Sequence, residues 1–191
     1  MIQLVGPGGA GKTVIGRALR RRLGVPFTDL DEQFRERAGD ISEFLAKYGY
    51  MAYCTRNVET YFEVIGAAAD DAILALSSGF MTYADTVHPK YRTACQAIIA
   101  SPSTVVLLPS HDRETCVAET VKRQITRPFS RLAEREEAVI RARFELYRGL
   151  PCRQVESAGE IERLVDYLVE QMLPHVRLQP TAADAILSRR G

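Results

Sequence analysis

An excess of charge of either sign is missing from this chain of 191 residues: 25 Lys and Arg stand against 24 Asp and Glu, a formal net charge of +1. Nucleic acid and anionic membrane surfaces are usually met by a strong basic excess, so neither is expected as a partner and a small molecule is. Cysteine is sparse. Cys54, Cys95, Cys116 and Cys152 lie far apart, with no C-x-x-C pair and no histidine at zinc-ligand spacing. That pattern speaks against a zinc site and a disulfide framework, and for reduced thiols. His88, His111 and His175 are too scattered for a triad or a metal site. No apolar run is long enough to span a bilayer, and no basic segment leads into an apolar one at the start of the chain. The expectation is a soluble, cytoplasmic protein.

Internal repeats and low-complexity linkers are also absent, while 46% of residues are hydrophobic and 26% charged. This is the composition of one globular domain with one substantial core. Strand and helix signals alternate along it. "IQLVG" reads as a strand running into a glycine loop, and Val14, Ile15, Leu19 and Leu23 follow at helical spacing. "VPFTDLD" is a second strand, followed by a helical "EQFRERAG" and a helix-rich stretch from Ile41 to Ala69. "AILAL" and "TVVLLP" are buried-type strands with a helix around Tyr91 to Ala100 between them. A densely charged pair of helices fills Asp112 to Leu146; then come a short strand "CRQVE" and an amphipathic helix with Ile161, Leu164, Val165, Leu168 and Met172 on one stripe. Such alternation predicts an α/β fold with a central parallel sheet covered on both faces.

Behind the first strand stands "GPGGAGKT", residues 6–13, which completes G-x-x-x-x-G-K-[ST]. A glycine loop between strand and helix turns successive N–H groups toward one point, where the helix N-terminus adds partial positive charge. Gly6, Pro7, Gly8, Gly9, Ala10, Gly11, Lys12 and Thr13 therefore form the candidate phosphate cradle. Lys12 would reach the β- and γ-phosphates, and the Thr13 hydroxyl would face Mg²⁺. The expected ligands are ATP and Mg²⁺, and the fold is of the P-loop NTPase type, a three-layer α/β/α sandwich.

"FTDLD", residues 27–31, supplies two carboxylates on an extended segment, both expected at the carboxyl end of the second strand beside the loop. Of Asp29 and Asp31, one could help hold the metal and the other orient an acceptor alcohol and take its proton. The competing reading is that both aspartates cap the helix that follows.

These motifs, in this order, resemble the shikimate kinase family over most of residues 1–170. The resemblance implies phosphorylation of the 3-hydroxyl of shikimate by ATP, a role in aromatic amino acid biosynthesis, and a helical lid over about residues 110–130; it also implies that Asp29 helps hold Mg²⁺ through water and that Asp31 binds the acceptor hydroxyl. "TRPF" is similar to the lid signature and puts Arg127 over the transferred phosphate. "RFELY" is similar to the segment whose arginine clamps the acceptor carboxylate, here Arg143. "TRNVE" resembles a second carboxylate-binding position and nominates Arg56, with Cys54 as the other occupant and an ordinary surface arginine as the plain reading. Tyr147 reads as structural.

One departure stands out. Where the family carries three successive glycines this chain has "LSSGFM", and if Gly79 is the first, Phe80 and Met81 replace the others. A phenylalanine there would either point away or narrow the acceptor pocket. A sugar acid, an aminated shikimate relative or a nucleotide therefore stays open as the acceptor, as does a nucleotide-binding module without transfer activity. Residues 1–176 are expected to form a single kinase domain, acting as a monomer or weak homodimer, and 177–191 a frayed tail or loosely docked helix.

Overall fold

A computed structural model describes residues 1–125 and 133–172. Strands and helices alternate: β1 (Ile2–Val5), α1 (Lys12–Leu23), β2 (Phe27–Asp29), α2 (Leu30–Ala38), α3 (Ile41–Ala67), β3 (Ile73–Ala75), α4 (Tyr91–Ala100), β4 (Thr104–Leu108), α5 (Arg113–Ile125), α6 (Ala133–Arg148), β5 (Arg153–Glu156) and α7 (Ile161–Met172). The sheet runs β2-β3-β1-β4-β5, and each neighbouring pair is parallel. β1 lies at the centre, with Leu4 opposite Ala75 of β3 and Val105 of β4.

Successive strand residues serve opposite faces, as the two-residue period of a strand requires. Ile2, Leu4, Ile73, Val105 and Leu107 enter one core with Ile15 and Leu19 of α1 and Val165 and Leu168 of α7. Val5, Leu74, Val106 and Leu108 enter the other, with Phe34, Val58, Ile98 and Phe144 from α2, α3, α4 and α6. Both faces are thus covered, which is the expected three-layer architecture. The stripe on α7 behaves as its spacing predicts at Val165 and Leu168, whereas Ile161 is 37% exposed at the start of the helix.

Two local expectations change. β2 stops at Asp29, so Asp31 does not continue the strand; it lies in the first turn of α2. The cause is Asp29 itself, whose side chain accepts the N–H groups of Asp31 and Glu32 and caps the helix. The helix-rich stretch is one element broken at Gly49, where φ is 82° and ψ 170°. The C-terminal tail, 177–191, lies outside the described residues.

α1 is held unusually close to β2. A Cβ at Gly16 would stand 2.2 Å from the Phe27 ring. Gly16→Ala gains about 0.5–1 kcal/mol of helix propensity but forces the ring aside, and overpacking of that kind costs about 1–3 kcal/mol. The net effect expected is a lower thermal midpoint, by a few degrees at about 2–4 °C per kcal/mol. Calorimetry of Gly16→Ala alone and with Phe27→Leu checks this, because trimming the ring should restore most of the loss.

Candidate active site

The cradle begins where β1 ends. At Gly6 the backbone passes so close to β4 that a Cβ would lie 2.2 Å from the Leu107 carbonyl oxygen, which no side chain tolerates. Gly11 caps α1 with φ 85°, in the left-handed region, and brings no side chain to bond the first-turn N–H groups. Those groups, with no acidic residue in the first turn of α1, form the site for an anion. The Lys12 ammonium donates to the carbonyls of Gly6 at 2.7 Å and Pro7 at 2.9 Å, which folds it along the loop. From α5, the Arg123 guanidinium donates to the Gly9 carbonyl at 3.1 Å. α5 thereby borders the cradle, a contact that the charged composition of its sequence did not single out.

Thr13 and Asp29 meet as expected. The Thr13 hydroxyl donates to Asp29 Oδ2 at 2.6 Å, while Asp29 Oδ1 accepts from the N–H of Asp31 at 2.9 Å. The helix-capping reading and the metal-ligand reading are therefore compatible, each using its own carboxylate oxygen. A hydroxyl and a carboxylate side by side are hard oxygen donors that suit Mg²⁺, which needs few protein ligands because it keeps several waters.

Asp31 is partly buried beside this pair, and its Oδ1 accepts a hydrogen bond from the Ser77 hydroxyl just past β3. Burial pushes its carboxyl above the usual range, with the Ser77 hydrogen bond acting the other way. Ser77 in turn accepts from Asn57 Nδ2 at 3.0 Å, and Asn57 Oδ1 accepts from the Tyr83 hydroxyl at 3.1 Å. Sequence reasoning missed Ser77, Asn57 and Tyr83. A signal existed for the first: Ser77 and Ser78 directly follow a strand at the sheet edge where open α/β folds bind ligands.

Arg143 comes from α6 to the same place. It donates to Ser78 Oγ at 3.5 Å, and a Cβ at Gly79 would lie 2.9 Å from its Nη2. Gly79 is thus the gap through which this guanidinium approaches the loop. Tyr147, one turn further along α6, donates to the Ser78 carbonyl at 2.9 Å, in line with its structural reading. Cys54 and Tyr50 feel the Arg143 charge, and burial raises the Cys54 thiol to about 11.

Arg56 does not join them. Its guanidinium is held at 3.1 Å by Glu59 and at 2.9 Å by Glu63, and Glu63 also pairs with Arg37 of α2. The plain reading of a helix-surface arginine is the one the geometry favours, because two carboxylates on its own helix outcompete a turn toward the sheet. The neighbours of Asp31 on α3 are instead Tyr53 and, through Ser77, Asn57. Arg127 lies outside the described residues.

Phe80 points away from the pocket. It is fully buried, 4.9 Å from the Tyr61 ring and 5.8 Å from the Tyr83 ring. Of the two outcomes expected for a phenylalanine at this place, the structure has the first. Phe80→Ala is accordingly expected to cost about 3–5 kcal/mol of stability, as large-to-small core changes do. Denaturant unfolding measures it; an acceptor-pocket role for the ring would instead leave the midpoint unchanged.

Comparison with known proteins identifies the chain's relatives. The family model described as "Shikimate kinase" matches residues 8–173. A shikimate kinase of Paramagnetospirillum magneticum is 31% identical over 185 residues, covering 94% of this chain and 88% of the relative. One from Paracidovorax citrulli is 30% identical, covering 90% and 91%. Among solved structures, the shikimate kinase of Acinetobacter baumannii in complex with shikimate superposes with a TM-score of 0.70 at 26% identity, covering 91% of this chain and 92% of that one. With the family model spanning residues 8–173 and these relatives at 30% and 31% identity over nearly the whole chain, the chain belongs to the shikimate kinase family.

Proposed function

We propose that this protein is an ATP-dependent kinase that phosphorylates the 3-hydroxyl of shikimate. The observation that carries the reading is the convergence of Asp31, Arg143 and the Thr13–Asp29 pair on one side of the phosphate loop. In this reading the loop N–H groups and Lys12 hold the β- and γ-phosphates of ATP. Thr13 and Asp29 hold Mg²⁺, which would neutralise charge on the phosphate oxygens. Asp31 orients the acceptor hydroxyl and takes its proton, and the Arg143 fork accepts the acceptor carboxylate with two parallel hydrogen bonds. The resemblance to the family assigns Arg127, outside the described residues, to the transferred phosphate, in a lid that would include α5. Positioning and charge neutralisation account for most of the rate in phosphoryl transfer.

One observation favours a second acceptor of the same class. With Arg56 bound to Glu59 and Glu63, Arg143 is the one of the two arginines nominated for the acceptor carboxylate that reaches the loop after β3. A hydroxy acid whose carboxylate is held by Arg143 without Arg56 would suit that arrangement.

Coupled ADP release with Mg·ATP and a panel of hydroxy acids that includes shikimate tests both. Turnover on shikimate is expected, with Asp31→Asn lowering kcat by about 10²–10⁴-fold. Arg143→Ala should raise the acceptor KM by about 10–100-fold, the range for a lost hydrogen bond to a charged group. Arg56→Ala should change it by no more than about twofold, as for an exposed ion pair. Chelation of Mg²⁺ should abolish turnover. Activity on another acid with none on shikimate would replace the acceptor and keep the mechanism.

A further inference from the structure

From the third strand into the acceptor side runs a chain of hydrogen bonds that the reaction as described does not use. Asp31 Oδ1 accepts from Ser77 Oγ, Ser77 Oγ accepts from Asn57 Nδ2 at 3.0 Å, and Asn57 Oδ1 accepts from Tyr83 Oη at 3.1 Å. Asn57 is fully buried, Ser77 is 2% exposed and Tyr83 8%. We propose that Tyr83, Asn57 and Ser77 are positioning residues that lock the Asp31 carboxylate with Oδ1 occupied and Oδ2 turned to the acceptor hydroxyl.

The direction of every bond in the chain follows from chemistry. An ionised carboxylate only accepts, so the single Ser77 proton must go to Asp31. The serine oxygen is then left as an acceptor, and the amide nitrogen of Asn57 donates to it at 3.0 Å, with the Tyr53 hydroxyl packed against the same serine. The amide is thereby oriented, since a flipped Asn57 would offer Ser77 a second acceptor in competition with Asp31 and would point N–H groups at Tyr83. The Asn57 oxygen finally needs a donor, which Tyr83 provides. Burial holds the Tyr83 phenol protonated well above its ordinary range, so that donor is not lost at working pH.

Tyr83 is itself fixed. Its N–H donates to Tyr91 Oη at 3.1 Å, and the Tyr91 hydroxyl donates to the Phe80 carbonyl at 2.6 Å. The far end of the chain is therefore anchored in the aromatic core between β3 and α4, and the near end is a reacting group. A serine that merely filled space would not need a buried asparagine behind it, because an unpaired buried amide is costly. The charged partner makes the last bond the strong one, and losing it frees the Asp31 side chain to rotate.

The proposal rests on the reading of Asp31 as the group that orients the acceptor, and two kinds of measurement separate the two. Ser77→Ala and Tyr83→Phe each remove one oxygen and little volume. Crystals of Ser77→Ala are expected to show the Asp31 carboxylate rotated out of its present position, a result that does not depend on which acceptor is used. In the shikimate assay, Ser77→Ala should lower kcat by about 10–100-fold and Tyr83→Phe by about two- to fivefold, each leaving the KM for ATP unchanged, with Ser77→Thr recovering most of the loss. On an Asp31→Asn background, Ser77→Ala should cost nothing further, because residues that act as a unit are not additive. An Asp31 carboxylate that stays in place in Ser77→Ala crystals overturns the proposal, as does an equal loss on both backgrounds. If the wild-type protein is inactive on shikimate, the acceptor reading fails, and the crystallographic result alone decides the positioning role.

Discussion

Both oxygens of Asp29 are committed, and the site is built around that fact. Oδ2 accepts from Thr13 at the head of α1, and Oδ1 accepts from the backbone of Asp31 and Glu32 at the head of α2. One carboxylate at the end of β2 thus ties the phosphate loop to the helix that carries the acceptor-side aspartate. The caps of two helices are set relative to each other by bonds under 3.5 Å, so the spacing between the head of α1 and Asp31 is set by this one carboxylate. The division of labour between the oxygens also leaves room for a metal without loss of structure. A cation at the Thr13 side would draw on Oδ2 and leave the helix cap on Oδ1 in place.

This junction holds because the sheet behind it is rigid on both faces. Alternate residues of β1, β3 and β4 feed two separate cores, so no strand can slide by one residue without exchanging its two faces. The carboxyl ends of β1, β2 and β3 are therefore fixed in relation to one another, and they place Gly6, Asp29 and Ser77 along one edge. Two close approaches narrow the geometry further: Gly6 against the Leu107 carbonyl and Gly79 against Arg143. In each, a single Cβ would displace a neighbour that the site needs. At Gly6 glycine is a requirement of space, because the neighbour is backbone; at Gly79 the neighbour is the movable end of Arg143, which a Cβ would push aside.

The loop, the alternation of strands and helices and the meeting of Thr13 with Asp29 were legible because each rests on local pattern: a spacing of glycines, a period of two, a carboxylate at the end of a strand. Asp31 was legible as a residue and misplaced as an element, since alternation with Asp29 suggests a strand while the cap that Asp29 makes starts a helix. Arg56 was unreadable for a different reason. A guanidinium on a helix has partners three and seven residues away on its own surface as well as across the fold, and only coordinates show that Glu59 and Glu63 take it. Asn57 and Tyr83 were hidden entirely, because a lone amide on an apolar helix face and a tyrosine after a turn carry no motif. Their meaning arises from contacts 20 and 26 residues apart in the chain.

Phe80 follows the same logic from the opposite side. It breaks the resemblance to a glycine run, yet its ring lies in the cluster of Tyr61, Tyr83 and Tyr91. The Phe80 carbonyl accepts from Tyr91, whose oxygen accepts from the N–H of Tyr83, so the turn after Gly79 is clamped to α4 at two points. The N–H of Phe80 donates to the Ser77 carbonyl at 3.0 Å, which carries that clamp back to the residue bonded to Asp31. A bulky anchor behind the loop and small residues in front of it are complementary. Burial of the ring offsets the entropy cost of ordering the turn, and Ser77, Ser78 and Gly79 leave the front open for Arg143.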